Sequence, residues 1–501
     1  MRAFLWVPPN CSHLRGLVIG NNNMLEQGIL ENSEFRKNLS KLGFAEIFFS
    51  NIFDAWFDVN DGAVPKFNAM LGSLADVSGY DELATVPVVP IGHSACASFP
   101  WNFGAALPER TLAMLSIHGD SPQTNLPGSG RPNWNWGSRN VDGIPGLLDM
   151  GEYEWWEARL DPTVTYRKAH PQSTIALRCD AGNGHFNTPK ALIDYLSMFI
   201  RKSAATRLPS TGGQLKPLDP KDFWLEDRWH VDLPPNAPAA PFTQYRGNRA
   251  DAYFTFDAES ARATEKEYAQ QRGKLPQLVG FLENGAFVPQ TETHEQLHLS
   301  MAPEKDGVTF EVHTGFYAAV PSGNKNPPAW AHLPVGAPIG HSDSPTHVDA
   351  ILGPVVKLSS DRFRLSLNRI NIDISKGVDV WFAGTHPGDE KYKSVVQQAV
   401  MHVPPGKSGD VQTIDFKELH DIKVGEEPPK LDAISSAGLP VRFYVLDGPA
   451  ELKGDRLKIT AIPPRAKFPV KVTVVAWQWG RGTPNAVQTA VPVTRSFVIQ
   501  R

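Results

Sequence analysis

Cysteine is nearly missing. Cys11, Cys96 and Cys179 are the only three in 501 residues, too few and too far apart for a disulfide framework or a zinc knuckle. No apolar run approaches the roughly 18 residues that span a bilayer, so no membrane insertion is expected. Neither sign of charge dominates. The formal net charge is −4, with acids and bases mixed along the chain, and no nucleic-acid partner is expected. The opening MRAFLWVPPN has no apolar h-region and no cleavage site, so it is not an export signal. Proline and glycine are plentiful instead, at 43 and 41 residues, and call for many turns and irregular connections. A chain this long predicts about three domains.

Residues 1–205 alternate strand-like and helix-like segments. RGLVIG, FAEIFFS, VPVVPIG, TLAMLSIHG, IPGLLDMG and STIALRCDAG read as buried strands. SEFRKNLSKLG, with Ser33 as N-cap and Gly43 as C-cap, reads as a helix, as do VPKFNAMLGSLADVSG, ACASFPWNFGAALP and the closing PKALIDYLSMFIRKSAATRL. Pro100 is expected to distort the third of these. The alternation predicts a mainly parallel sheet with helices on both faces. Residues 206–224 read as a linker. Short alternating segments then predict an all-β, sandwich-like remainder, divided into 225–412 and 413–501, with one helix-like insert at 259–273.

The segment VPVVPIGHSACA suits a nucleophile. An apolar strand ends at Gly92, Ser94 follows, and the small residues Ala95, Cys96 and Ala97 open a helix. Such a turn lifts the serine hydroxyl clear of the sheet and aims the N–H of Ala95 at an oxyanion. P-I-G-H-S recurs at 338–342, but Pro334, Pro338 and Pro345 surround Ser342, so it reads as a loop. A serine needs a base. His185, in a glycine-rich loop after STIALRCDAG, has the right place in the order; His93 adjoins the serine and should point away, and His118 ends a strand too early. A carboxylate to orient the base is expected where IPGLLDMGEYEWWE turns at Gly151. Glu154 fits the spacing better than Glu152, which is then a partner or a substrate contact, and Trp155 and Trp156 would screen the carboxylate from water.

With these motifs in order, residues 1–205 resemble the α/β-hydrolase serine esterases. The resemblance implies the series Ser94, Glu154, His185, an oxyanion hole from Ala95 and a donor after the first strand, and an antiparallel edge at RAFLWVP. In that loop, IGNNNMLE, Asn22 is the first choice for the donor and Asn23, a possible substrate contact, the next. The end of the chain, through G-L-P-V, G-P-A and V-T-V-x-A elements, is similar to bacterial Ig-like modules appended to secreted, often carbohydrate-active proteins. That implies a periplasmic or secreted setting.

Two further features are weighed. THEQLHLSM contains H-E-x-x-H at 294–298, but the local period is two, and on a strand the two histidines sit roughly 13 Å apart, too far for one zinc. A hairpin with VTFEVH is expected there. The aperiodic segment 121–143 connects two core strands. Its Trp134, Trp136 and Arg139 either contact substrate over the site or pack the loop down. The reading that results is a serine-dependent carboxylic ester hydrolase. Its substrate is a small-molecule or polysaccharide ester, foremost an ester decoration of a glycan, and its chemistry requires no metal or organic cofactor. A polyester depolymerase and a non-catalytic glycan-binding protein are the alternatives.

Overall fold

Residues Gly16–Asn21 are buried at every position, as a strand in the middle of a covered parallel sheet must be. The computed structural model describes residues 2–50, 56–125, 132–154, 157–210, 213–291, 296–370, 373–482 and 484–501. It divides into two compact units. The first comprises Met1–Leu275, Gly388–Ser394 and Pro463–Arg465; the second comprises Pro276–Pro387, Val395–Ile462 and Ala466–Arg501.

The first unit is built on β1 (Arg2–Trp6), β2 (Gly16–Asn21), β3 (Phe44–Ser50), β4 (Val88–His93), β5 (Met114–Ile117), β6 (Pro145–Gly151) and β7 (Thr174–Asp180). Their order in the sheet is β1-β3-β2-β4-β5-β6-β7. Every pair is parallel except β1 with β3, so RAFLW is the antiparallel edge. Helices α1 (Glu26–Leu30), α2 (Ser33–Leu42), α3 (Ala63–Ser78), α4 (Phe99–Ala106), α5 (Glu157–Ala169) and α6 (Lys190–Arg207) connect the strands. Alternate residues of β2 face opposite ways. Ile19 joins Phe67 and Leu71 of α3 and Phe103 of α4 in one apolar cluster, while Gly20 opens onto Leu30 of α1. Two local expectations shift. Asn32, not Ser33, caps α2, accepting from the N–H groups of Glu34 and Phe35. Pro100 lies in the first turn of α4, where its missing N–H costs no helical bond and the helix is undistorted.

The unit does not stop at residue 205. The 206–224 segment is tied down, with Arg207 Nε donating to Lys216 O (2.8 Å) and Leu218 N to Gly143 O (3.0 Å). Strands β8 (Trp224–Glu226), β9 (Ala240–Pro241) and β10 (Tyr253–Thr255) form a small sheet, and β10 lies against β7. The helix read as an insert in the β region, α7 (Ala258–Gln271), belongs here too. Lys202 Nζ of α6 donates to Glu259 (2.7 Å), and Tyr268 Oη accepts from Cys179 N (2.8 Å).

The second unit is β-rich and mostly antiparallel. One apolar cluster runs from Phe281 to Trp479, so packing does not break near residue 412. The strand Val470–Trp477 explains this. Val475 and Trp477 enter that cluster, while Val472, Val474 and Ala476, on the other face, enter a C-terminal one. Gln296–Leu299 is a strand, with Leu297 and Leu299 buried and His298 exposed. It is not half of a hairpin. Its partner is the parallel strand 395–403, and Thr309–Glu311 pairs instead with Arg362–Leu365, because buried alternate positions find their neighbours through the core rather than through the nearest turn. His294 and Glu295 lie outside the described residues.

Candidate active site

Ser94 follows β4 in a tight 3-10 turn, Ser94–Cys96, with its φ at +50°. Left-handed backbone is strained for a residue with a side chain, and the turn leaves room for nothing larger than glycine two residues before it. A Cβ on Gly92 would lie 2.0 Å from the carbonyl oxygen of Cys96. Cys96, where the usual pattern has its second glycine, is buried.

The acid turn and the histidine loop are pressed together in the same way. A Cβ on Gly151 would stand 2.8 Å from the carbonyl oxygens of both Asn183 and Gly184. Tyr153 N donates to Asn183 O (3.0 Å). This contact brings Glu154, in the turn after β6, to His185, in the loop after β7. His185 Nε2 is 2.7 Å from Ser94 Oγ, and His185 Nδ1 is hydrogen-bonded to Glu154 Oε2. Glu154 Oε2 also accepts from Arg159 Nη1 (3.1 Å), and Oε1 accepts from Gly151 N (3.0 Å) and pairs with His118 Nδ1. Burial acts to raise the pKa of Glu154, but the charges and hydrogen bonds of His185 and His118 override it and hold the group well below the ordinary carboxylate value. Burial lowers the pKa of His185 more than Glu154 raises it. His93 is wholly buried, its Nε2 2.8 Å from the carbonyl oxygen of His185. Burial and the two neighbouring histidines hold it neutral.

Other expected residues take different places. Ala95 stands directly after Ser94 in the turn, half-buried. Asn22 is not a free oxyanion donor. Its N–H donates to Phe49 O (2.7 Å), which prolongs the β2–β3 ladder by one step. Asn23 braces the nucleophile turn rather than contacting substrate, its Nδ2 donating to His93 O (2.6 Å). Glu152 faces inward, accepting from Gly182 N (2.8 Å) and from Lys393 Nζ (2.8 Å), so it is an internal ion pair and not a substrate contact. Trp134 and Trp136 are packing residues, buried with Tyr166, Met150 and Trp101, and Trp136 Nε1 donates to Asn102 Oδ1 (2.7 Å). Arg139 is exposed, with its guanidinium over the ring of Trp134. Trp155 and Trp156 lie outside the described residues.

Ser342, the second P-I-G-H-S serine, is buried in the other unit. Its N–H donates to Gln277 Oε1 (3.0 Å) and its Oγ meets Ser344 Oγ (3.0 Å). Ser344 Oγ is 2.8 Å from His386 Nε2, which looks like a nucleophile with its base. The amide orientation of Gln277 decides otherwise. With its oxygen taken by Ser342, its NH2 donates to His386 Nδ1 (3.1 Å), so His386 keeps its proton on Nε2 and donates to Ser344. In that tautomer Nε2 already carries a proton and cannot take one from Ser344.

Sequence reasoning passed over two residues at the first site. Glu26 is fully buried beneath the Ser94 turn, accepting from His93 N (2.7 Å) and Met24 N (3.0 Å). Burial raises its pKa to about 7. His118 was set aside as too early in the order, yet it bonds the second oxygen of the carboxylate that His185 uses. Among the described residues, two sets of side chains bring three ligand-type atoms together, His118–Glu154–His185 and His118–Asp149–Asp180. In the first set the facing atoms are hydrogen-bonded to one another. In the second, Arg178 already bridges the two aspartates, at 2.8 Å and 3.1 Å. Neither arrangement calls for a metal.

A mainly parallel sheet of this order, with a serine after its fourth strand, a carboxylate after the sixth and a histidine after the seventh, is the α/β-hydrolase fold with a Ser–His–Glu group at its carboxyl edge. The chain matches no protein-family model and no curated protein. Among solved structures it is similar to esterase PE8, at 16% identity over 40% of this chain and 97% of that one, with a TM-score of 0.29. It is similar also to Est1E from Butyrivibrio proteoclasticus, at 15% identity over 40% and 94%, with a TM-score of 0.28. An S-formylglutathione hydrolase from Agrobacterium tumefaciens aligns at 17% identity over 41% and 90%, with a TM-score of 0.31.

Proposed function

We propose that the protein is a serine-dependent carboxylic ester hydrolase that works through an acyl-enzyme. The observation that carries this is the continuous hydrogen-bonded path from Ser94 Oγ through His185 to Glu154. Ser94 Oγ attacks the ester carbonyl as its proton passes to His185 Nε2. The N–H of Ala95 faces the oxyanion that forms. The C–O bond to the alcohol breaks, and the alcohol leaves with the proton from His185. Water then gives His185 a proton and attacks the acyl carbon, the bond from that carbon to Ser94 Oγ breaks, and His185 returns the proton to Ser94 Oγ as the acid is released. Glu154, ionised throughout, holds the imidazole and stabilises its cation.

The substrate class we infer is an ester decoration of a glycan, in a periplasmic or secreted setting. The β-rich second unit, similar in its C-terminal motifs to modules of carbohydrate-active proteins, supports this by association. Turnover of a short p-nitrophenyl ester, blocked by a serine-directed phosphonate whose adduct maps to Ser94, is the expected result. Absence of turnover, or an adduct elsewhere, overturns the reading. Release of acetate from an acetylated polysaccharide tests the substrate class separately.

A further inference from the structure

The carboxylate of Glu154 is shared. One oxygen serves His185, and the other bonds His118 Nδ1, as a second imidazole on the far side. His118 comes directly after β5. It is wholly buried, and it is held at φ +46°, the same strained backbone region as Ser94. Its other nitrogen, Nε2, faces Asp149 Oδ2 at 3.6 Å and Asp180 Oδ2 at 4.0 Å. All three of these atoms are buried and without a hydrogen-bond partner. Gly151 N also points at Nδ1 (3.1 Å), but a lone pair there would face the Glu154 carboxylate, so a neutral His118 would carry its proton on Nδ1. The lone pairs of Nε2 and Asp149 Oδ2 would then face each other in a dry space, where only a protonated Asp180 could supply a hydrogen. A second proton on Nε2 turns that repulsion into attraction on both sides.

The charge balance agrees. Asp149, Glu267 and Glu154 are three carboxylates facing only two guanidiniums, Arg178 and Arg159, while burial raises the pKa of the fourth carboxyl, Asp180, to about 8. We propose that His118 is a positioning residue: an imidazolium clamped between Glu154 and the Asp149–Asp180 pair, it fixes the orienting carboxylate by its second oxygen and offsets part of that carboxylate's charge at His185. This rests on reading Ser94, His185 and Glu154 as the reactive group.

Every element packed around His118 contributes to its state. Glu154, Asp149 and Asp180 face it from the acid turn, β6 and β7; His93 lies 5.8 Å away from β4 and His185 5.9 Å away from its loop, centre to centre; and Arg159 Nη1 is 3.5 Å from its backbone oxygen. Burial acts to lower the pKa of His118, and Glu154, Asp149 and Asp180 raise it beyond that. At His185 the order is burial lowering, Glu154 raising, then His118 and Arg159 lowering again. Removing the charge on His118 therefore strengthens the hold of His185 on a proton, and the base is silenced at a higher pH than before.

The test is His118→Gln, which keeps an amide donor for Glu154 and removes the charge. The acid limb of kcat/KM on a p-nitrophenyl ester is expected to move upward by about one pH unit or more, as for a lost charge some 6 Å away. A limb that stays put or moves downward overturns the proposal. A second measurement needs neither turnover nor a folded His118→Gln protein. Nitrogen-15 spectra of histidine-labelled Ser94→Ala protein at pH 8 are expected to show one buried imidazolium alongside the neutral His185, with two low-field N–H protons. If no imidazolium is seen, the proposal fails even where ester turnover stands. If the imidazolium is seen and the wild type turns over no ester, the clamp stands and the esterase reading fails.

Discussion

Glu152 and Glu154 are two residues apart and do unlike work. Glu154 is hydrogen-bonded to His185, and in the proposed mechanism, where it orients the base, Glu154→Gln is expected to lower kcat by about three orders of magnitude or more while KM holds, as when a triad acid is lost. Glu152 sits in an ion pair with Lys393, which also meets Asp232 (2.8 Å). Glu152→Gln is expected to lower the melting temperature and leave kcat within a few-fold, because breaking a buried pair strands a charge without touching the reacting atoms. Glu26 makes a pH-dependent contribution. Its folded pKa of about 7 lies above the ordinary 4.5, so the native protein holds that proton more tightly than the unfolded chain. Stability from this group is full below pH 4.5 and falls as pH rises to 7, by about 3 kcal/mol in all. Urea unfolding of wild type and Glu26→Gln across that range should show a fall smaller by about that amount in the variant, the remainder coming from other buried acids with raised pKa values such as Glu46 and Asp180. The positions of Ser94, His185 and Glu154 were legible because chain order and turn chemistry are local properties. His118 was not, since its partners stand on β6 and β7 and meet it only through sheet register. The two tryptophans at 134 and 136 were ambiguous because a flat amphipathic ring suits a core and a binding site equally.

The acid turn and the histidine loop form one element in effect, pressed carbonyl against glycine. Gly151→Ala places a methyl where Asn183 and Gly184 have their carbonyl oxygens. One loop must yield, and either way Glu154 and His185 part. Activity is expected to fall at least a hundredfold with a smaller change in melting temperature, since a displacement of about 1 Å can cost that much in rate. A calorimetric scan beside a kinetic assay separates the two effects. At this scale the strands and helices of the first unit were readable from apolar runs, caps and glycines. What escaped was pairing over distance. Helix α7 follows β-like sequence yet packs on α6 and β7, and 296–299 finds its parallel partner about a hundred residues on. The failure of Asn22 as a donor is of the same kind, because the length of a ladder is settled by both strands.

Taken whole, the first unit is larger than the alternating pattern that announces it. A chain ending near residue 205 contains all three reactive side chains. It loses Glu267 from Arg178, Asp257 and Glu259 from Lys202, and Tyr268 from Cys179 N, so two buried cations are left with fewer anions. Such a fragment is expected to be insoluble, and one ending at 275 to be soluble but less stable than the full chain and slower in turnover; soluble yield and thermal melts of the three lengths check this order. The fragment ending at 275 still lacks Lys393, which reaches Glu152 from 241 positions further along the chain. Translation runs in one direction. On the ribosome the serine, the acid and the histidine all emerge early, and the lysine that settles the turn between them emerges late. From residue 185 to residue 393, about two-fifths of its synthesis, a nascent chain therefore carries these side chains without the ion pair that anchors the turn, and the first unit is completed only late in translation.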